Sequence, residues 1–209
     1  MDTVDRETRF LIVRHPETTA NTTGRYVGRG DAPYTPLGES QAPLLSAEIV
    51  AWRPDRLCSS PLRRTKDVAV PAAEKLDCDV QIDDRLTELD FGQAEGLTLS
   101  EISAAGVVFD FESPVAPVAP GGESRTDIYR RSEAFALEHE RLGGRVAVVT
   151  HGGVFRSLLV RLLGLELDDI WSFDIKPGQI AEVRLVNGHG ALVSFRRPSG
   201  EDAGRDNKA

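Results

Sequence analysis

The chain has 209 residues, a formal net charge of −8 and an apolar share of 40%. This length and composition fit one domain with a buried core. Because no repeat or second domain boundary is visible, we expect a single domain over residues 1–197 and a disordered polar tail over 198–209. The acidic balance argues against a nucleic-acid partner, since nucleic-acid binding needs a basic surface. An anionic ligand would have to meet a local cluster of arginines.

Cysteine usage and the N-terminal segment bear on the cellular compartment. Cys58 and Cys78 are too few for a disulfide framework and do not have metal-ligand spacing, and Cys58 is expected in the core. The polar, acidic first residues do not resemble a signal peptide, and no segment approaches about 18 successive apolar residues. We therefore expect a cytoplasmic protein with no membrane partner. The oligomeric state stays open, with a homodimer as one option.

Apolar, β-favouring runs alternate with helical segments along the chain. The run from Phe10 to Val13 predicts a buried strand that ends at Arg14-His15-Pro16, because proline cannot donate to a strand ladder. A glycine-rich loop over 21–34 leads to Thr35, which caps a helix with Pro36 at its first position. Strands are further predicted over 56–59, 80–82, 145–150, 180–186 and 191–195, the last two as a hairpin. Helices are predicted from 36 to about 52, from the Ser60-Pro61 cap to about 76, over 124–142 and over 154–163. A brief helix is predicted after the Thr98–Glu101 capping box, and residues 107–122 are predicted to be irregular and Pro-rich.

This alternation of strands and helices predicts an α/β fold with a doubly wound, mainly parallel sheet and helices on both faces. In such folds the ligand binds beyond the carboxyl ends of the strands. His15 and His151 each follow a predicted strand directly. We therefore expect both imidazoles at the edge of the sheet where ligands bind.

The residues around these two histidines are suited to phosphate. Gly152-Gly153 opens a helix, and a helix N-terminus offers free N–H groups and partial positive charge to phosphate oxygens. Arg14 and Arg64 offer planar forks of donors to the same oxygens and stay charged. A neutral imidazole is a competent nucleophile. The pattern predicts a phosphate site at which His15 attacks phosphorus.

Phosphoryl transfer also needs a proton for the departing oxygen. Glu88 is the best candidate, because it follows a predicted strand in a glycine-containing loop where a partly buried carboxyl group can act as an acid. Asp90 is its nearest rival. His139 and His189 are expected to be solvent-exposed or turn residues without a chemical role.

Four segments of the sequence carry a resemblance to a known family. They are LIVRHPETTAN (11–21), SSPLRRT (59–65), LTELDFGQAEG (86–96) and THGG (150–153). In this order they resemble the motifs of the histidine phosphatase superfamily, also called the phosphoglycerate mutase-like family. The segments PGGES at 120–124 and 158–179 are most similar to the α-ribazole phosphatase branch.

The resemblance implies a phosphomonoester hydrolase that needs neither a metal nor a cofactor and acts on a small phosphate ester. His15 would become phosphohistidine and Glu88 would be the proton donor. The phosphate pocket would be formed by Arg14, Asn21, Arg64 and His151, beside the helix N-terminus at Gly152.

Three residues depart from the family pattern. Pro16 stands where glycine is usual, Val27 where many relatives have a hydroxyl group, and Ala94 where tryptophan is common. These changes bear on the turn after the nucleophile, on one phosphate contact and on the shape of the pocket. The segment after Glu88 is too short for the long insertion of cofactor-dependent mutases, which favours hydrolysis.

Three alternatives remain beside hydrolysis. The first is a phosphoglycerate mutase-type phosphotransferase. The second is a module that binds phosphorylated ligands without turning them over. The third is a His-His-Glu metal site, which the neighbouring arginines disfavour electrostatically and which lacks a close-spaced ligand pair.

Overall fold

Six strands form one sheet in the computed structural model, which describes residues 7–200. The strands are β1 (Glu7–Arg14), β2 (Arg56–Ser59), β3 (Val80–Ile82), β4 (Gly144–Thr150), β5 (Ile180–Val186) and β6 (His189–Arg196). The α-helices are α1 (Thr19–Thr23), α2 (Pro36–Trp52), α3 (Arg63–Leu76), α4 (Leu99–Ala104), α5 (Arg125–Leu142) and α6 (Gly152–Leu163). Short 3-10 helices cover Asp84–Leu86, Gly92–Ala94 and Leu167–Ser172. The predicted α/β class is confirmed.

The sheet is mixed, so the prediction of a mainly parallel, doubly wound sheet is confirmed only in part. Its strand order is β3-β2-β4-β1-β5-β6. The first four strands are parallel, whereas β5 runs antiparallel to both β1 and β6. The predicted hairpin exists, and Asn187 and Gly188 at its turn both have positive φ, as a tight hairpin turn requires. This antiparallel hairpin extends the sheet beyond its four parallel strands.

Helices cover both faces of the sheet, and β1 is buried on both. Phe10 and Ile12 pack into one core with residues of α5 and α6, such as Phe135 and Phe155. Leu11 and Val13 face the opposite core, which contains residues of α2 and α3. A strand that is covered on both sides reads as a continuous apolar run, which is how β1 and β4 were recognised in the sequence.

Several element boundaries differ from those predicted. Helix α3 begins at Arg63 with Leu62 as its N-cap, so Ser60-Pro61 lies in the bend before it. Helix α1 begins before the predicted loop and overlaps its first residues, and it was missed because five residues are too few to show helical periodicity. Residues 107–122 contain no helix or strand, as predicted. Cys58 is buried, as predicted, and Cys78 is exposed, and neither forms a disulfide.

The predicted C-terminal tail is described only in part. Pro198 is buried, and the N–H of Ser199 donates to a carboxylate oxygen of Glu48 at 2.7 Å. Residues 201–209 lie outside the described part of the chain. Within residues 7–200, no helix has the length and apolar character needed to cross a bilayer.

Candidate active site

The two strand-end histidines lie side by side at one edge of the sheet. Strands β1 and β4 are parallel neighbours that end at the paired residues Arg14 and Thr150, and the residue after each strand is a histidine. The N–H of His15 donates to the carbonyl oxygen of Thr150 at 2.9 Å. The ring centroids of His15 and His151 are 5.2 Å apart, and both residues are at least 96% buried. The structure therefore brings together the two imidazoles that the sequence singled out.

A backbone carbonyl group orients the His15 ring. Its Nδ1 lies 2.7 Å from the carbonyl oxygen of Pro16. Since a carbonyl oxygen only accepts, Nδ1 carries the hydrogen and Nε2 keeps its lone pair. Any residue supplies this carbonyl, so proline in place of the usual glycine keeps the orientation. His15 thus has a fixed ring with one nucleophilic nitrogen.

His151 is held in the opposite tautomer by two side chains. Its Nδ1 accepts from Nε of Arg64 at 3.2 Å, so its Nε2 carries the hydrogen and donates to Oγ of Ser60 at 2.8 Å. Burial lowers the pKa of His15 and of His151 well below the usual histidine value, and the charges of Arg14 and Arg64 lower each pKa further. Both rings are neutral at physiological pH.

The lowered pKa values give a pH prediction. Because each pKa lies well below 6.5, the neutral form of both rings should persist as the pH falls through 6.5. Histidine Cε1–H NMR signals, assigned by their loss in His15→Ala and His151→Gln, should show no titration between pH 7.5 and 6. A midpoint at or above 6.5 for either ring would contradict this electrostatic description.

Arg64 is anchored by the glycine-containing loop that follows α1. Its guanidinium group is 3% exposed and donates to the carbonyl oxygens of Gly30 at 2.6 Å and Gly28 at 2.9 Å. A Cβ atom on Gly28 would lie 1.9 Å from the carbonyl oxygen of Leu89, so this close approach requires glycine. The loop therefore fixes the guanidinium group beside His151.

Arg14 lies against the first turn of α6. Its Nη1 donates to the carbonyl oxygen of Ile175 at 2.6 Å, while its buried Nε has no hydrogen-bond partner. A Cβ atom on Gly152 would lie 3.2 Å from Cζ of Arg14, so glycine lets the guanidinium group approach the helix N-terminus. Burial is the main cause that lowers the pKa of Arg14 to about 10, which still leaves the group charged at neutral pH.

Glu88 reaches the same helix N-terminus from the other side. Its carboxyl oxygens accept from the N–H of Gly153 at 3.1 Å and from its neighbour Leu89 at 2.9 Å. Glu88 is 9% exposed and lines a cavity of about 510 Å³, which is the main pocket of the site. The Asp90 side chain is 39% exposed, accepts from the N–H of Gly92 and does not line that pocket. The geometry favours Glu88 over its rival.

Asn21 lies at the mouth of the site on α1. Its Oδ1 accepts from the N–H and the hydroxyl group of Thr18, which closes the cap of this short helix. The residue is exposed and lines a small pocket together with His15, Arg64 and Val27. Asn21 is therefore placed next to the proposed nucleophile. Ala94 is fully buried and does not line the main pocket.

The main pocket extends outward from Arg14 and Glu88 and has a volume of about 510 Å³. Its remaining charged lining residues are Arg25, Arg125 and Arg156, and its aromatic lining residues are Tyr26, Phe91, Phe111 and Trp171. Among residues 7–200 there is no group of three or more histidine, cysteine or acidic side chains arranged to hold a metal ion.

Sequence reasoning missed three polar residues of this region. Ser60 was considered only as a helix cap, although it follows β2 at the same sheet edge and contacts His151. Arg156 follows Gly152 by four residues on α6, a spacing that places both on one helix face and could have been noticed. Arg125 lies beside the predicted cap Ser124, and nothing in the sequence pattern distinguishes it from a surface arginine.

Comparison with known proteins places the chain in a family. The model of the histidine phosphatase superfamily (branch 1) matches residues 10–197. Phosphoserine phosphatase 1 of Hydrogenobacter thermophilus is 34% identical over 193 residues, 90% of this chain and 91% of that protein. Glucosyl-3-phosphoglycerate phosphatase of Mycolicibacterium vanbaalenii is 34% identical over 198 residues, 88% and 86% of the two chains. The structure of a putative α-ribazole-5′-P phosphatase from Escherichia coli superposes with a TM-score of 0.77 at 25% identity, covering 93% of this chain and 97% of that one.

The family match spans nearly the whole described domain, and the relatives are named as phosphatases. The chain is therefore a phosphoric monoester hydrolase by class, and it belongs to the histidine phosphatase superfamily (branch 1).

Proposed function

We propose that the chain hydrolyses phosphomonoesters through a phosphohistidine formed on His15. The observation that carries this proposal is the His15 ring, which is buried and neutral and has a free Nε2. The centroid of this ring lies 5.2 Å from the centroid of the His151 ring, and two arginines lie beside it. Arg14, Arg64, Asn21 and the N–H groups at Gly152 surround the position that the phosphoryl oxygens would occupy. Such preorganised donors stabilise the charge that develops on these oxygens.

Two displacements at phosphorus complete the proposed cycle. In the first, the Nε2 lone pair of His15 forms the bond to phosphorus, the ester P–O bond breaks, and the carboxyl group of Glu88 gives its proton to the departing oxygen. In the second, water attacks phosphorus, Glu88 takes up the proton of that water, and the P–N bond returns its electron pair to Nε2. Inorganic phosphate leaves and both residues regain their starting forms.

The chemistry of the relatives bears on the substrate. The two relatives are named as phosphatases of phosphoserine and of glucosyl-3-phosphoglycerate, and both compounds carry a carboxylate beside the phosphate ester. We therefore propose a carboxylated phosphate ester as the substrate class. An α-ribazole phosphatase-like specificity, predicted from the closing segments, stays an untested prediction.

A panel assay tests the proposed function. Phosphoserine, phosphoglycerates and α-ribazole phosphate should each be incubated with the chain after exhaustive chelation, and free phosphate measured. We expect phosphate release from at least one ester at an undiminished rate after chelation. Activity that disappears with the chelator and returns with a divalent cation would contradict the mechanism.

The same assay separates the two remaining alternatives. A mutase-type phosphotransferase would convert one phosphoglycerate isomer into another and release little free phosphate. A non-catalytic binding module would bind the esters and release none. The predicted outcome is free phosphate without accumulation of an isomer.

A further inference from the structure

The outer half of the main pocket carries more positive charge than a phosphate site alone accounts for. Of the described residues, four arginines and a single acidic residue, Glu88, line this pocket, in a chain whose net charge is −8. Arg14 belongs to the proposed phosphate site, and Arg25 is neutralised by a bidentate contact with Glu101. Arg125 and Arg156 remain to be explained.

Among residues 7–200, Arg156 is held in place by backbone oxygens and not by a carboxylate. Its Nε donates to the carbonyl oxygen of Phe173 at 3.0 Å, and its Nη1 to that of Gly152 at 3.3 Å. Burial lowers its pKa, although the more distant Glu88 and Asp174 raise it. A partly buried guanidinium group without a close ion pair favours an anionic ligand.

Among the described residues, no buried carboxylate balances the positive charge of Arg125 either. Its side chain is 6% exposed, and its buried Nε has no hydrogen-bond partner in the part of the chain that the structure describes. It donates to the carbonyl oxygen of Glu112 at 2.6 Å, which ties it to the irregular segment 107–122. Its only ion pair among the described residues is to Asp168, at 3.4 Å and with that side chain 86% exposed. A solvated partner of this kind contributes little and is easily exchanged for a ligand.

The Arg156 side chain reaches towards the phosphate end of the pocket. Arg156 is four residues beyond Gly152 on α6, and its Nη1 extends back to within 3.3 Å of the Gly152 carbonyl oxygen. The guanidinium group therefore lies within the length of a short carbon chain from the N–H groups at which the phosphate is proposed to bind. A ligand whose phosphate lies at Gly152 would present a second substituent on such a chain to Arg156.

We infer that Arg156, assisted by Arg125, binds a second anionic group of the substrate, and that this group is a carboxylate borne on the short carbon chain of the phosphate ester. This inference rests on the proposed function for the position of the phosphate. It assigns two specificity-determining residues that lie outside the family motifs. Selection arises because a neutral hydroxymethyl group in the same place gives Arg156 no counter-charge and leaves Arg125 with its solvent-exposed partner Asp168.

A matched pair of ligands isolates the carboxylate. 3-Phosphoglycerate and glycerol 3-phosphate have the same phosphate ester on the same carbon, and differ in a carboxylate against a hydroxymethyl group. Titration calorimetry with the His15→Ala protein measures the affinity for each without turnover. We expect the affinity for 3-phosphoglycerate to be at least about tenfold higher than that for glycerol 3-phosphate, because a charge-assisted hydrogen bond contributes about this much.

Four variants in the same background locate the effect. Arg156→Gln and Arg125→Gln should each reduce the preference for 3-phosphoglycerate on the order of tenfold, with the affinity for glycerol 3-phosphate changed less than about threefold. Arg130→Gln removes the same charge from an exposed position of α5 outside the pocket, and should leave the preference unchanged. Arg156→Lys keeps the charge without the planar fork and should restore part of the preference.

The outcomes distinguish this inference from the proposed function. Equal affinity for the two ligands, or an equal loss for both in Arg156→Gln and Arg125→Gln, would overturn the carboxylate site. If the intact chain nevertheless releases phosphate, the proposed function stands without the carboxylate site. A clear carboxylate preference in a chain that hydrolyses no ester would support the carboxylate site and end the proposed function.

Discussion

Replacing His15 with alanine should lower kcat by more than about 10⁴-fold, because no other group within residues 7–200 is placed to accept the phosphoryl group. The neighbouring His151 cannot take over, since its Nε2 hydrogen is donated to Ser60 and its Nδ1 faces Arg64. The measurement is steady-state release of phosphate from the best substrate of the panel. Residual activity would come from the binding donors alone, which orient the ester towards water.

A matched control removes another histidine from the same chain. His189 lies exposed on β6, away from the pocket, so His189→Ala should keep wild-type kcat. Thermal unfolding of both variants shows whether the fold is intact. If His15→Ala kept more than about a tenth of the wild-type kcat, the assignment of the nucleophile would be wrong.

Replacing Glu88 with glutamine should have an effect that depends on the leaving group. An alkyl ester needs a proton on its departing oxygen, so its kcat should fall by about 10² to 10⁴-fold. p-Nitrophenyl phosphate has a stable phenolate leaving group, and formation of the phosphoenzyme from it should fall less than about tenfold. Glutamine retains one oxygen that can accept from the N–H of Gly153, so the local structure should persist.

Asp90 provides the control for this test. Asp90→Asn is the equivalent change at the rival carboxylate, which caps the turn at Gly92 and lies outside the pocket. This variant should hydrolyse both esters at close to the wild-type rate. Equal losses for alkyl and aryl esters in Glu88→Gln, or a leaving-group dependence in Asp90→Asn, would move the proton donor elsewhere.

The inner part of the site could be predicted from sequence because strand ends leave a clear local signal. Continuous apolar runs identified β1 and β4 as strands covered on both faces, and the polar residues after them had to lie at the sheet edge. His15 and His151 were found in this way. That the two strands are direct neighbours is a tertiary fact, and it emerges only from the pairing of Arg14 with Thr150.

The outer part of the site could not be predicted, because it is assembled from segments without periodicity. Arg125, Phe111 and Trp171 come from a helix start, the irregular segment and a 3-10 helix, and only tertiary packing brings them to one pocket. The orientation of β5 was missed for a related reason. A hairpin signal predicts how two strands pair with each other, but not which other strand of a sheet they lie beside.

The central claim is that Nε2 of His15 carries the phosphoryl group during turnover. Rapid mixing with a ³²P-labelled ester, followed by quenching in base, should trap a phosphoprotein that is stable in base and labile in acid, with the label on the peptide that contains residue 15. His15→Ala should trap no label under the same conditions. Label on any other residue, or phosphate release at the full rate with no labelled protein within the first turnover, would contradict the claim.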